Sequence, residues 1–323
     1  MKFSLSALLF LALLGATAAR PEAARAQLAS AQPPATTAPA SSPSSAEPRV
    51  FFSLLEATQN AAEATVLNLR GQELASLPTG LAQLQRLEML NLMKNKLRAL
   101  PAEIGSLPQL RELLARQNEL TALPTEIGQL TQLQALNVAK NHLTELPAAI
   151  GQLRQLRRLH LNENQLTSLP TSLGQLRQLR TIELEHNKLS TLPSSVGRLR
   201  DLQTLNLAYN QLATLPAALS RLGHLENLDL SYNQLTTLNA RVRRLQKLRA
   251  LVLTNNRLRE LPASLTQLPN LELLVLSYNK LSALPTNLSG LRNLKTLVAV
   301  GNPLPAAEQV RIRAALPNCQ VIF

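Results

Sequence analysis

From residue 64 onward the apolar positions follow one cadence, LxxLxLxxNxLxxLPxxLxxLxx, which restarts at 64, 87, 110, 133, 156, 179, 202, 225, 248, 271 and 294. Every step is 23 residues, with no insertion or deletion, so ten full copies and a truncated eleventh cover 64–304. Leu holds the eleventh position in all copies, from Leu74 to Leu304, and the fourteenth and twenty-first in the ten full ones. Alternation with period two at the start of a unit predicts a short strand. In the copy at 156, Leu159 and Leu161 then face inward, while Arg158, His160 and Asn162 face outward. One such unit cannot bury its own apolar face, so neighbours must stack into a parallel sheet with a continuous leucine core. Pro fixes φ and cannot continue a strand ladder, so Leu100-Pro101, Leu123-Pro124 and Leu146-Pro147 turn the chain away. The segment after each, such as 171–176, is short enough for a 3₁₀ or one-to-two-turn helical piece.

This pattern resembles the leucine-rich repeat family, secreted bacterial type, with units similar to those of the Ras-group leucine-rich repeat proteins. The resemblance implies an α/β leucine-rich repeat solenoid: a curved right-handed horseshoe with the sheet on its concave face and short 3₁₀ or helical segments on its convex face. Caps are expected at both ends of the array. Residues 49–63 read as an N-terminal helical cap, because Ser53 precedes Glu56 by three residues behind an apolar neighbour, the sign of a capping box. Residues 305–323 read as a C-terminal cap: a helix from Pro305 to Leu316 with apolar Val310, Ile312, Ala315 and Leu316, then a strand from Cys319 to Phe323.

The first 26 residues have the form of a secretory signal peptide, with Lys2, an apolar run of about a dozen residues and small-x-small sites ending at Ala18 and Ala26. Residues 27–48, rich in Pro, Ala, Ser and Thr, read as a disordered linker. No segment is long enough for a transmembrane span. These features predict a secreted, periplasmic or cell-surface protein, and a cytoplasmic scaffold if the leader is not cleaved.

Leu fills 76 of 323 positions while aromatic residues make up 2%, so little remains from which to build an irregular core or an enclosed reaction centre. The single Cys319 excludes internal disulfides and multi-Cys metal sites, and its apolar surroundings predict a buried cap thiol. No phosphate loop, HExxH or GxSxG motif is present. No catalytic residue, cofactor or metal is therefore expected, and the cluster of His160, Glu163, Glu183, Glu185 and His186 reads as solvated surface charge.

The ninth-position asparagines Asn95, Asn118, Asn141, Asn164, Asn187, Asn210, Asn233, Asn256 and Asn279 form a column whose amides can satisfy turn backbone in two adjacent units, a structural role. Binding falls to the outward strand positions, where a face on the order of 50 Å long suits a macromolecule. The candidate ligand contacts are Arg158, His160, Glu183, Glu185, Asp229, Val252, Leu273 and Val275. The last three, with Val298 and Val300, form an apolar cluster readable as an exposed hot spot or as packing against the C-terminal cap or a second copy. Tyr209, Tyr232 and Tyr278 share the eighth position, where they serve an interface or shield the asparagines.

Net charge is +13, and 64–304 holds 27 Lys and Arg against 15 Asp and Glu. Columns such as Arg198, Arg221 and Arg244, or Arg154, Arg177 and Arg200, would attract anionic surfaces, including envelope polysaccharide. The array contains no Phe or Trp for base stacking, so no specific nucleic-acid role is expected. The sequence thus describes a non-enzymatic exported protein, a monomer or weak dimer, that binds a protein or polysaccharide ligand on its concave face. A structural or adhesion module using the basic columns is the alternative.

Overall fold

The computed structural model describes residues 49–323, so the leader and linker expected over 1–48 lie outside the described residues. Each unit opens with a three-residue strand that buries its central leucine, or Ile182 in one unit, and pairs with the same positions in the units before and after. After β1 (Val50–Phe51) come β2 (Val66–Asn68), β3 (Met89–Asn91), β4 (Glu112–Leu114), β5 (Ala135–Asn137), β6 (Arg158–His160) and β7 (Thr181–Glu183). They continue with β8 (Thr204–Asn206), β9 (Asn227–Asp229), β10 (Ala250–Val252), β11 (Leu273–Val275), β12 (Thr296–Val298) and β13 (Gln320–Ile322). All thirteen lie in one parallel sheet in chain order. The register advances by whole units: Leu90 pairs with Leu113, Leu159 with Ile182, and Leu205 with Leu228.

Opposite the sheet, nine 3₁₀ segments run from Leu81–Gln83 to Ala263–Gln267. Pro stands just ahead of seven of them, for example Pro170 at φ −67° and ψ 146°. Asn239 breaks that series, yet it keeps φ at −64° and accepts a hydrogen bond from the Arg241 amide at 2.8 Å, so side-chain capping replaces ring constraint. Successive turns approach closely on this side. A Cβ at Gly151 would stand 2.5 Å from the Ser172 carbonyl oxygen, which is why the position has no side chain. Between sheet and turns, leucines such as Leu159, Leu161, Leu166, Leu173, Leu176 and Leu179 are wholly buried and belong to one continuous core.

The N-terminal cap contains the expected helix, α1 (Leu54–Gln59), with Ser53 Oγ accepting from the Glu56 amide. It also contains β1, which the helical reading of 49–63 missed. Val50 and Phe51 suit an extended backbone, and the free edge of β2 offers them a ladder. Arg49 closes this end, pairing with Glu56 at 3.1 Å and lying over the Phe51 ring.

At the other end α2 (Ala306–Ala315) leads into β13. Ile312 and Leu316 are buried, one turn apart, whereas Val310 is 65% exposed and Ala315 is also in solvent, so the helix packs through a narrower line than its composition suggests. Arg311 fastens it. The guanidinium holds Glu308 at 2.7 Å and donates to the Leu284, Pro285 and Thr286 carbonyls of the preceding unit. Cys319 is half-buried against the core, and burial pushes its thiol up to about 11.

The candidate recognition surface

The asparagine column separates structural side chains from exposed ones. Asn187 Oδ1 accepts from the Leu166 amide at 3.0 Å, and its Nδ2 donates to the Leu161 and Leu184 carbonyls at 3.0 Å each. The same three bonds recur at the other members, all at or below 8% exposure, and continue to Asn302. Each amide joins its own turn to the one before.

One position earlier the backbone is left-handed. Lys94, Gln117, Lys140, Glu163, His186, Tyr209, Tyr232, Asn255 and Tyr278 all have φ between 53° and 58°, and Gly301 has φ 71°. This conformation is rare for side chains with a Cβ and throws them outward along one sheet edge. His186, Tyr209 and Tyr232 consequently stack face to face, with ring centroids 4.1 Å apart at both steps. The shared eighth position makes Tyr209 and Tyr232 neighbours, and the His186 imidazole, at the same position one unit earlier, extends the stack. Tyr278 is set apart by Asn255 and lies against Gly301, where a Cβ would meet Tyr278 Cδ1 at 2.6 Å. Tyr209 and Tyr278 are 39% and 55% exposed.

Beside this stack the concave face is acidic. β6 to β9 place His160, Glu183, Asn206 and Asp229 in one row. Burial pushes Glu183 up to about 7, helped by the neighbouring charges of Glu185 and Asp229 and opposed by a hydrogen bond from Asn206. Asn206 Nδ2 also donates to Glu185 Oε2 at 2.6 Å. Asp229 is pushed up to about 6, again chiefly by burial, although it accepts from the Ser231 amide and hydroxyl at 2.8 and 2.6 Å. The same row explains why Asn and Asp recur there: Asn68, Asn91, Asn137 and Asn206 each accept from the amide two residues on. Burial and the Tyr232 hydroxyl raise Tyr209 to about 12.

Other expected contacts fall differently. Arg158 is half-buried and reaches across Ala135 to Glu112 at 3.1 Å, so it is already engaged. Val252, Leu273 and Val275 are not exposed at all, at 0%, 2% and 1%. With Ala250 and Val298 they form a second small core against which Val300 and Ile322 pack. The apolar end of the face is thus consumed in seating the C-terminal cap, because side chains on adjacent parallel strands close over one another. Arg198, Arg221 and Arg244 are exposed, each the last residue of a 3₁₀ segment. Among the described residues no group of three His, Cys, Asp or Glu side chains is arranged to hold a metal ion, and no helix is long and apolar enough to cross a membrane.

The family model described as leucine rich repeat matches residues 62–120, 177–235 and 246–304, more than half of the chain, and the model described as leucine-rich repeat region matches 103–177. No curated protein sequence matches. Among solved structures, a TDR receptor superposes with a TM-score of 0.73 at 29% identity, covering 86% of this chain and 50% of that one. The Toll–Spätzle complex of Drosophila gives 0.66 at 31% identity, with 74% and 33% covered. The plant peptide hormone receptor RGFR1 in complex with RGF2 gives 0.61 at 28%, with 78% and 46% covered. The chain spans half or less of each of these proteins.

Proposed function

Because the chain belongs to the leucine-rich repeat family, we propose that it is a non-enzymatic binding protein whose concave sheet reads a protein or peptide ligand between Glu183 and Tyr232. The observation that carries this reading is the His186–Tyr209–Tyr232 stack, exposed at His186 and Tyr209 and half-buried at Tyr232, bordering the desolvated carboxylates Glu183 and Asp229. In a chain of net charge +13, an acidic strip on an open sheet selects a ligand segment bearing Lys or Arg. The stacked rings cover one another's faces, so they offer rims and flat contact rather than platforms for stacking a sugar. That RGFR1 and Toll were solved with protein ligands supports the class of ligand, while the ligands themselves belong to those proteins. Export is part of the proposal and rests on the leader-like residues 1–26.

A displayed peptide library provides the test. Selected sequences should be rich in Lys and Arg, and their affinity should rise between pH 6 and pH 8 as Glu183 and Asp229 ionise. Folded variants carrying Tyr209→Ala with Tyr232→Ala, or Glu185→Gln with Asp229→Asn, should bind at least about tenfold more weakly. Selection of acidic peptides, or unchanged affinity in both variants, would overturn this assignment. N-terminal sequencing of protein made in its native source checks export: a start at Met1 would rule out leader cleavage.

A further inference from the structure

Where each convex turn runs back toward the sheet, the units from 133 to 224 carry a second repeated chemistry. Residues 152–157 and 175–180 are both Gln-Leu-Arg-Gln-Leu-Arg, and 198–203 continue as Arg-Leu-Arg-Asp-Leu-Gln. The leucines Leu153, Leu156, Leu176, Leu179, Leu199 and Leu202 are fully buried, which fixes the residues between them on the flank of the solenoid. Arg154, Arg157, Arg177, Arg180, Arg198, Arg200 and Arg221 are all exposed there. None of the seven makes an ion pair or side-chain hydrogen bond among the described residues.

Adjacent members follow the ladder itself. The Arg180 amide donates to the Arg157 carbonyl at 2.9 Å, so these two occupy consecutive rungs, separated by about the 4.8 Å strand spacing. The amides of Arg154, Arg177 and Arg200 each close the same turn onto Gln152, Gln175 and Arg198. At the second repeat position of other units, basic residues on this flank have acidic neighbours: Arg111 pairs with Glu88, and Arg249 and Lys295 both pair with Glu272. Between Gln152 and Gln203 the flank offers one acid, Asp201. An ordinary solvated face mixes its signs, and this stretch does not.

We propose that this flank binds a linear acidic polysaccharide independently of the concave face. Arg presents a planar fork suited to carboxylate, and its rungs repeat at a pitch close to the length of one hexose unit. Interleaved Gln152, Gln155, Gln175 and Gln178 supply amide donors and acceptors, the complement of sugar hydroxyls. A bilayer is a poorer fit because the exposed large apolar side chains, Leu55, Tyr209, Tyr278 and Val310, all lie elsewhere. Nucleic acid is a poorer fit because the flank has no Phe, Tyr or Trp ring on which a base can stack, and its one imidazole, His224, lies beyond Gln203.

The experiment titrates the full chain with an alginate oligomer as a hexuronate probe, beside neutral dextran, duplex DNA and phosphatidylglycerol vesicles. Alginate should bind, dextran should not, and affinity should fall steeply with salt. Converting Arg154, Arg157, Arg177 and Arg180 together to Gln should weaken alginate binding at least about tenfold. Converting Lys188, Arg257, Arg259 and Lys280 to Gln removes equal charge from other surfaces and should change it less than about threefold. Circular dichroism verifies folding, and Arg177→Glu with Arg180→Glu provides a smaller second variant expected to lose binding in the same direction. Equal losses in the two fourfold variants would overturn the proposal, as would tighter binding of DNA or vesicles than of alginate, or binding of dextran.

Discussion

At the scale of single residues the repeated cadence sets what each side chain must do, and departures from it are informative. Positions shared by nearly all units, such as the leucines and the ninth-position Asn, which only the first unit replaces with Gln72, could be read from the sequence because each has one physical job repeated ten times. Conformation at the eighth position was not legible: Lys, Gln, Glu, His and Tyr give no sign that the backbone there is left-handed. Ser195 illustrates a smaller departure. Its hydroxyl is buried without a hydrogen-bond partner among the described residues, while the turn of the next unit carries Ala218 at the same position. A buried hydroxyl with no partner costs about 1–3 kcal/mol. Ser195→Ala should therefore raise the midpoint of chemical unfolding, by an amount equivalent to about 1 kcal/mol. A lower midpoint would show that the hydroxyl is satisfied.

At the scale of elements the strand row His160–Glu183–Asn206–Asp229 has the largest effect on pH response. Glu183 and Asp229 have folded-state values raised to about 7 and about 6. Their favourable contribution is fully present only below the unfolded-state values near 4 and is lost as pH rises through the folded ones. Glu272 and Glu308 are shifted the other way, held low by Lys295 with Arg249 and by Arg311 respectively, and their contribution disappears only under strong acid. Thermal stability should accordingly increase as pH falls from 8 to 5, by on the order of 2 kcal/mol, and decline again below about pH 4. In Glu183→Gln with Asp229→Asn the increase between 8 and 5 should largely vanish; if it persists, the row is not its source. The pattern of outward positions located this row. It did not reveal how deeply the row is buried, because crowding between neighbouring strands depends on side-chain size at both flanking units. The same crowding turned Val252, Leu273 and Val275 from an anticipated surface into a core.

For the whole molecule, fold class was legible almost completely, because a one-dimensional array has only nearest-neighbour contacts to satisfy. Less legible were its ends, where the periodic rule stops: β1 had no counterpart in the cadence, and Ile312 is the one side chain that α2 itself buries, with Leu316 buried just beyond it. An array of this kind opens from its termini inward. Amide hydrogen exchange should be slowest at Leu159, Ile182 and Leu205 in β6 to β8. It should be fastest in β1 and β13, with the Arg311 anchorage slowing the C-terminal end relative to the N-terminal one. Uniform protection along the chain would indicate that the molecule opens all at once. Charge is also distributed at this scale, with Glu183, Glu185 and Asp229 together on the concave sheet and unpaired arginines along one flank.

The asparagine column carries a consequence for inheritance. Every Asn Nδ2 reaches a carbonyl 26 residues behind it as well as one 3 residues behind, so each turn is stitched to its predecessor at a fixed offset. Unequal crossing-over that adds or deletes one whole 23-residue unit restores both stitches automatically. Any fractional change strands an amide. Natural length variants of this gene should therefore come in whole-unit steps, and reach along a ligand can grow or shrink without the fold being reinvented.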